Sequence, residues 1–188
     1  MYTKGEYDLS GTIIGVVERE KILNGMKVEA GNVLIGIPTN GLQTNGFSLA
    51  RKILFPKYSP EDFLPELGCT VADALLAVHP SFGKYVFPVL DKDLATGVSH
   101  ITGGGIVGNT KRILRKENLA LKIDWNAWDV LPIFKLIQKC GEIGDEEMRY
   151  VFNLGIGLIV CTRPENVDTV LDMLKETNAR VIGEVIST

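Results

Sequence analysis

The stretch Ser99-His100-Ile101-Thr102-Gly103-Gly104-Gly105-Ile106 lies between a short segment that begins at Val98 and ends at Ile101 and a longer one at residues 108–114. The first segment is predicted to be a strand and the second a helix. Three consecutive glycines between them let the backbone approach a ligand closely and point several N–H groups at one spot. Because a helix start adds partial positive charge, a phosphate or another anion is the expected occupant. A tight turn beside a core histidine explains the same residues equally well.

Strands and helices alternate on both sides of this stretch. Short β-branched or apolar runs predict further strands at residues 12–17, 33–37, 119–123, 158–161 and 181–186. Apolar residues at helical spacing predict helices at residues 47–54, 71–78, 82–90, 130–137 and 164–174. This alternation predicts a mixed α/β fold, α+β-like, in which a mixed β-sheet of at least four strands is layered with helices around a single core.

The composition narrows the function classes. A chain of 188 residues fits one domain, and its net charge of −3 with scattered basic residues argues against nucleic acid as a partner. The three cysteines are odd in number and lack CxxC spacing, which argues against a disulfide framework and against a metal site. We expect a reducing compartment, the cytoplasm. No apolar run reaches the ~18 residues of a membrane helix, so no membrane association is expected.

Two other segments could carry chemistry. The run from Asn40 to Phe47 links a buried strand to a helix, and Thr44, Asn45 and Gly46 suit a ligand loop, although Thr44 or Asn45 could instead be a helix N-cap. The run from Phe152 to Gly157 contains paired glycines, for which a bulge is at least as good an explanation. Because binding loops gather at strand ends, we expect the loops around Gly103 and Asn45 to share one face. His79 is predicted to lie at the end of a helix.

Five motifs in order resemble one known family. They are residues 6–11 (Glu-Tyr-Asp-Leu-Ser-Gly), 41–51 (Gly-Leu-Gln-Thr-Asn-Gly-Phe-Ser-Leu-Ala-Arg), 73–77 (Asp-Ala-Leu-Leu-Ala), 100–105 (His-Ile-Thr-Gly-Gly-Gly) and 147–157 (Glu-Met-Arg-Tyr-Val-Phe-Asn-Leu-Gly-Ile-Gly). Together they resemble the second half of the aminoimidazole ribonucleotide synthetase family, also called phosphoribosylformylglycinamidine cyclo-ligase. The resemblance implies an interdomain segment at residues 1–10 and the family's C-terminal domain at residues 11–188. The family often has a histidine where this chain has Gln43.

The resemblance also implies an activity. In the family, ATP phosphorylates the amide oxygen of formylglycinamidine ribonucleotide, and a substrate nitrogen then closes the imidazole ring with loss of phosphate. It implies His100 as the catalytic acid–base or positioning residue. Thr102, Gly103, Gly104 and Gly105 would cradle the substrate phosphate, and Thr44, Asn45 and Gly46 would form a second ligand loop.

The same resemblance implies the partners and the alternatives. ATP and Mg²⁺ would be bound mainly by the family's N-terminal domain, which this sequence lacks and which also supplies most of the homodimer contact. That domain, in the same or a separate chain, is the expected partner, and the chain alone is expected to be inactive and to expose an apolar patch. The alternatives are another superfamily enzyme, such as a formylglycinamidine ribonucleotide synthetase, or a non-catalytic stand-alone binding module.

Overall fold

The computed structural model describes Tyr7 and residues 10–188. The strands are β1 (Val33–Pro38), β2 (Phe63–Leu64), β3 (Cys69–Thr70), β4 (Ala95–His100), β5 (Leu119–Ile123), β6 (Ile156–Thr162) and β7 (Arg180–Ser187). The helices are α1 (Phe47–Leu54), α2 (Val71–Leu75), α3 (Gly83–Asp91), α4 (Gly105–Thr110), α5 (Pro132–Gly141), α6 (Asp145–Val151) and α7 (Val167–Met173). Short 3-10 helices cover Arg19–Lys21, Lys111–Ile113, Pro164–Asn166 and Lys175–Thr177.

Five strands form one sheet in the order β4-β6-β1-β7-β5, and β2 pairs with β3 in a separate hairpin. The mixed α/β class is confirmed. The five-stranded sheet itself is antiparallel between all neighbours rather than mixed, because the alternation of strands and helices along the chain does not fix which strands become neighbours. Leu158 of β6 lies opposite His100 on one side and opposite Ile37 on the other. The ends of β4 and β1 therefore lie beside the start of β6, at one end of the sheet.

The buried side chains form three clusters, whereas the sequence predicts a single core. Helices α3 and α7 pack on one face of the sheet, against residues such as Ile35 and Val160. Ile106 of α4 and Trp128 pack on the other face. The third cluster joins α1, α2, α5 and α6 around Phe134 and Phe152. The prediction of a single core is wrong because the sheet separates the side chains on its two faces. In addition, α1, α2, α5 and α6 pack mainly on each other.

The predicted strand at residues 12–17 is wrong, because residues 10–18 form neither helix nor strand. All their side chains are exposed, and Ile13, Ile14 and Val16 are at least 90% exposed. A strand needs a neighbour for its backbone hydrogen bonds, so β-branched composition alone does not make one. Most of the predicted interdomain segment, residues 1–6, 8 and 9, lies outside the described residues.

Other differences concern where helices begin and end. Helix α2 ends at Leu75, three residues early, and α4 begins at Gly105 rather than at residue 108. Helix α5 runs on to Gly141, beyond the predicted residue 137, and Glu142 after it adopts the left-handed conformation. A Cβ at Gly141 would lie 2.7 Å from Ile53 Cδ1, so the glycine lies close against the Ile53 side chain of α1. Across the described residues, the helices are too short or too polar to cross a bilayer.

Candidate functional site

Three loops meet at the end of the sheet where β4 and β1 finish and β6 begins. We call them the Asn45 loop (residues 39–46), the glycine loop (residues 101–105) and the Asn153 loop (residues 152–155). The Thr39 amide donates to the Gly155 carbonyl (2.8 Å), and the Ile101 amide donates to the Gly157 carbonyl (2.9 Å). A Cβ built on Gly103 would lie 3.4 Å from Asn45 Oδ1, so the glycine loop and the Asn45 loop touch. The expected shared face is confirmed.

Asn109, a buried residue of α4, fixes the shape of the glycine loop. Its side-chain amide donates to the carbonyls of Thr102 (3.1 Å), Gly103 (3.3 Å) and Gly105 (2.8 Å). Its Oδ1 accepts from the Thr102 hydroxyl at 2.9 Å. The carbonyls of the loop are thereby tied to one side chain. The Gly103 and Gly104 amides donate to no other group within the described residues, so they are available to an anion.

Two glycines of this loop have conformations that other residues adopt at a cost. Gly104 is the N-cap of α4 with φ +101°, and Gly105 has φ +64°. A Cβ on Gly105 would lie within 1.8 Å of the Arg149 carbonyl oxygen, whereas one on Gly104 would meet nothing closer than 3.8 Å. Gly105 therefore brings α4 against α6, and Gly104 provides the turn. The glycine run therefore lets the backbone of α4 approach the backbone of α6 closely, which is a contact within the protein and not with a ligand.

The polar side chains of the Asn45 loop do not cap helix α1. Gly46, with φ +79°, is the N-cap of α1, and no side chain caps that helix. The alternative in which Thr44 or Asn45 caps the helix is therefore wrong. Thr44 is exposed and Asn45 is half-buried beside the glycine loop. Both side chains are placed where a ligand in the shared face could contact them.

Gln43 is a strained and incompletely bonded residue of the same loop. It has φ +60° and is buried, and its Nε2 donates to Thr39 Oγ1 at 2.9 Å. Its Oε1 has no partner among the described residues. Gly157 makes room for this arrangement, because a Cβ there would lie 2.6 Å from Gln43 Nε2.

Asn153 holds the Asn45 loop from the side of β6. Its side-chain amide donates to the carbonyls of Gly41 (3.0 Å) and Leu42 (3.3 Å), and its Oδ1 accepts from the Gly155 amide (2.8 Å). The side chain is buried. The predicted bulge is confirmed for Gly157, which lies in β6 where the register with β1 shifts between Ile37 and Pro38. Gly155, with φ +103°, belongs to the loop that precedes the strand.

His100, the last residue of β4, is exposed on one side and borders a depression of about 280 Å³. Thr102, Asn109 and Arg112 line the same depression. Nε2 of His100 lies 3.2 Å from Nε2 of His79, and Phe82 packs near both rings. Partial burial of the ring, and secondly the charge of His79, lower the pKa of His100. The neutral imidazole, able to accept a proton, is thus favoured near neutral pH.

A larger depression, of about 530 Å³, lies at the β5–β7 edge of the sheet. Its charged lining residues are Lys122 and Glu184, which are paired with each other at 2.8 Å, and Asp124. The converging loops lie at the end of the sheet instead, and they bring together backbone amides, a histidine and polar side chains. We therefore place the candidate site at the loops and not at the larger depression.

Three residues of the site have no functional assignment from the sequence. Asn109 and Asn153 are buried amides that tie down loop carbonyls, and the sequence signal for both is an asparagine close to a glycine pair or run. His79 was expected to end a helix; it follows α2, but its ring contacts His100, 21 residues away. Such a contact depends on how the strands are ordered, and no local pattern reveals it.

The family described as "AIR synthase related protein, C-terminal domain" matches residues 29–188. The chain belongs to this family. Among curated proteins, it is 42% identical over 191 residues to the phosphoribosylformylglycinamidine cyclo-ligase of Bifidobacterium animalis subsp. lactis, covering 99% of this chain and 55% of that protein. It is 40% identical to the cyclo-ligase of a Thermoanaerobacter species, covering 100% of this chain and 56% of that protein. The family member described here thus spans about half the length of these relatives.

Solved structures of other proteins share the fold of this family member. The hydrogenase maturation protein HypE of E. coli aligns with a TM-score of 0.57 at 16% identity, over 87% of this chain and 46% of that one. Phosphoribosylformylglycinamidine synthase II of Thermotoga maritima aligns with a TM-score of 0.52 at 16% identity, over 92% of this chain and 25% of that one. At this identity the likeness concerns the fold alone.

Proposed function

We propose that this chain is the C-terminal part of an ATP-dependent cyclo-ligase that converts formylglycinamidine ribonucleotide to aminoimidazole ribonucleotide in purine biosynthesis. The observation that carries the proposal is identity of 40–42% to proteins named phosphoribosylformylglycinamidine cyclo-ligase across essentially the whole chain. The synthase II and HypE structures share only 16% identity with it, which favours the cyclo-ligase over other enzymes of the same fold.

In this proposal the glycine loop receives the phosphate of the ribonucleotide. The Gly103 and Gly104 amides are available, and the hydrogen bonds of Asn109 to the loop carbonyls keep those amides turned outward. The Thr102 hydroxyl donates to Asn109, so Thr102 and Gly105 serve mainly to shape the cradle. Thr44 and Asn45, with Gly46 allowing their loop to approach, contact another part of the same substrate.

His100 takes the proton that ring closure releases. When the substrate nitrogen attacks the amide carbon, its N–H bond must break, and a neutral imidazole at the rim of the depression is a suitable acceptor. The lowered pKa of His100 keeps the ring neutral before the step. A positioned base of this kind contributes roughly 10²–10⁴-fold to a rate.

ATP and Mg²⁺ are assigned to the part of the relatives that this chain does not span. The residues that the structure describes hold no group of three His, Cys, Asp or Glu side chains able to bind a metal ion. We therefore route no phosphoryl-transfer step through these residues. We propose that the remaining part, in the same or a separate chain, binds the nucleotide and supplies the homodimer contact, and that the enzyme works in the cytoplasm.

Residues 12–17 are proposed to pack against that remaining part. Ile13, Ile14 and Val16 are almost fully exposed and adjacent in sequence, and they precede the residues that match the family's C-terminal domain. Apolar side chains in such a run are commonly covered by a partner. Ile13→Asp with Val16→Asp should weaken reassembly without changing the urea unfolding midpoint. The exposed pair Glu18→Gln with Glu20→Gln serves as the control.

The substrate is tested by reassembling the chain with the rest of a cyclo-ligase, as a fusion or as two chains. With ATP and formylglycinamidine ribonucleotide, the assembly should form aminoimidazole ribonucleotide. With formylglycinamide ribonucleotide and glutamine or ammonia, it should form no product. Activity only with the second set would identify a synthetase. Ligand binding without product from either set, in a folded assembly, would favour a binding module.

A further inference from the structure

His79 and His100 are the only histidines in the chain, and they contact each other. Their Nε2 atoms are 3.2 Å apart, and the ring centroids are 5.3 Å apart. His79 Nδ1 lies 2.9 Å from the Pro80 carbonyl oxygen. These contacts form a row from a backbone carbonyl through His79 to His100.

The row allows one arrangement of protons when both rings are neutral. A carbonyl oxygen only accepts, so Nδ1 of His79 carries the proton and its Nε2 has the free lone pair. Nε2 of His100 must then carry a proton and donate it to His79. This leaves Nδ1 of His100 as the nitrogen with the free lone pair.

We propose that His79 is a positioning residue for His100, fixing its tautomer and ring orientation so that Nδ1 is the atom that accepts a proton. The inference about tautomers stands on the contacts alone, and its meaning for catalysis rests on the proposed function. When a substrate N–H proton moves to His100 Nδ1, the N–H bond of the substrate breaks and an Nδ1–H bond forms. The imidazolium continues to donate its Nε2 proton to neutral His79.

The surroundings favour a hydrogen bond over a metal site for this pair. Phe82 packs against both rings, and β6 places the apolar Leu158 opposite His100. The charged residues on the neighbouring 3-10 helix are Lys111 and Arg112, both cationic. Since a metal needs further ligands and the described residues supply no third His, Cys, Asp or Glu here, the two nitrogens share a proton instead.

The tautomers can be read directly in the 188-residue chain labelled with ¹⁵N-histidine, because only two imidazoles contribute signals. At pH 7.5, we expect His79 to be protonated at Nδ1 and His100 at Nε2. His79→Phe should leave His100 as a mixture of tautomers. His79→Gln, whose amide oxygen also accepts a hydrogen bond, should restore the single form. Protonation of His79 at Nε2 in the natural chain, or an unchanged His100 signal in His79→Phe, would overturn the proposal.

Two further measurements distinguish the positioning of His100 by His79 from a metal site and from the proposed cyclo-ligase function. Addition of equimolar Zn²⁺ should leave both Nε2 signals in place. If equimolar Zn²⁺ shifts the Nε2 signals of both histidines together, the pair is a metal site and the proposal is overturned. In the reassembled cyclo-ligase, His79→Phe should lower kcat roughly tenfold to a hundredfold with little change in KM, and His79→Gln should recover most of the loss. If the assembly lacks cyclo-ligase activity but the tautomers are as expected, the proposed function fails and the positioning of His100 by His79 stands.

Discussion

Alanine substitutions along the glycine loop should destabilise the fold in a graded way. Gly103 has no positive φ, and its nearest neighbour for a Cβ is the Asn45 side chain at 3.4 Å, so Gly103→Ala should change stability by no more than ~0.5 kcal/mol. Gly104 has φ +101° but open space, so Gly104→Ala should cost about 1–2 kcal/mol, the penalty of a left-handed residue.

Gly105→Ala should be the most damaging change of the three. It carries the same left-handed penalty at φ +64°, and its Cβ would lie 1.8 Å from the Arg149 carbonyl oxygen. A backbone atom of α6 cannot swing aside, so overpacking adds roughly 1–3 kcal/mol. The two effects amount to about 2–5 kcal/mol, out of the ~5–15 kcal/mol by which a domain of this kind is stable.

Urea unfolding of the 188-residue chain, followed by circular dichroism, measures this series. With a denaturant dependence of about 1–3 kcal/mol per molar, Gly105→Ala should lower the midpoint by about 1–2 M. Gly103→Ala is the matched control at the neighbouring position. If Gly105→Ala unfolds at the same urea concentration as Gly103→Ala, the close contact between α4 and α6 is wrong.

Three further predictions follow from single residues. Asn109→Ala should lower the free energy of unfolding in urea by about 1–3 kcal/mol, because three loop carbonyls lose their donor. The control Asn126→Ala, at an exposed position, should lower it by ~0.5 kcal/mol at most. Equal effects of the two substitutions would show that Asn109 does not hold the glycine loop. Burial raises the pKa of Cys161 to about 11, so a thiol reagent at pH 8 should label Cys69 and Cys140 and reach Cys161 only on unfolding; fast labelling of all three would contradict its burial. The folded-state pKa of His100 lies below its ordinary value of 6.5, so the unfolded chain binds more protons and stability should fall as the pH drops through 6.5. His100→Gln should reduce this slope, and an unchanged slope would show that other groups cause it.

The sequence predicts those parts of the fold that depend on local patterns. The all-apolar run at residues 33–37 and the helical spacing of residues 47–54 are confirmed, because burial selects apolar residues with the period of each element. The β-branched run at residues 12–17 is also rich in Ile and Val, but it has no pairing neighbour among the described residues and forms no strand. Composition therefore predicts the tendency to form a strand, and a partner decides whether it forms.

The candidate site could be predicted only in pieces. The glycine run and the Asn45 segment are recognisable because each follows a buried strand with small, permissive residues. Their contact depends on β1 and β4 flanking β6, an order that residues 58 apart in sequence do not reveal. The contact between His79 and His100 is equally long-range, so the sequence suggests His100 and misses the residue that orients it.

We propose that this chain supplies the substrate-binding half of a cyclo-ligase and works only together with the remaining part of the enzyme. The direct measurement is ADP release coupled to a spectrophotometric readout, with formylglycinamidine ribonucleotide and Mg-ATP, for the chain alone and for the reassembled enzyme. We expect no turnover above background from the chain alone, turnover on reassembly, and a loss of roughly 10²–10⁴-fold with His100→Ala. Robust turnover by the chain alone would show that it does not need the remaining part, and full turnover by the reassembled His100→Ala variant would show that His100 is not the proton acceptor.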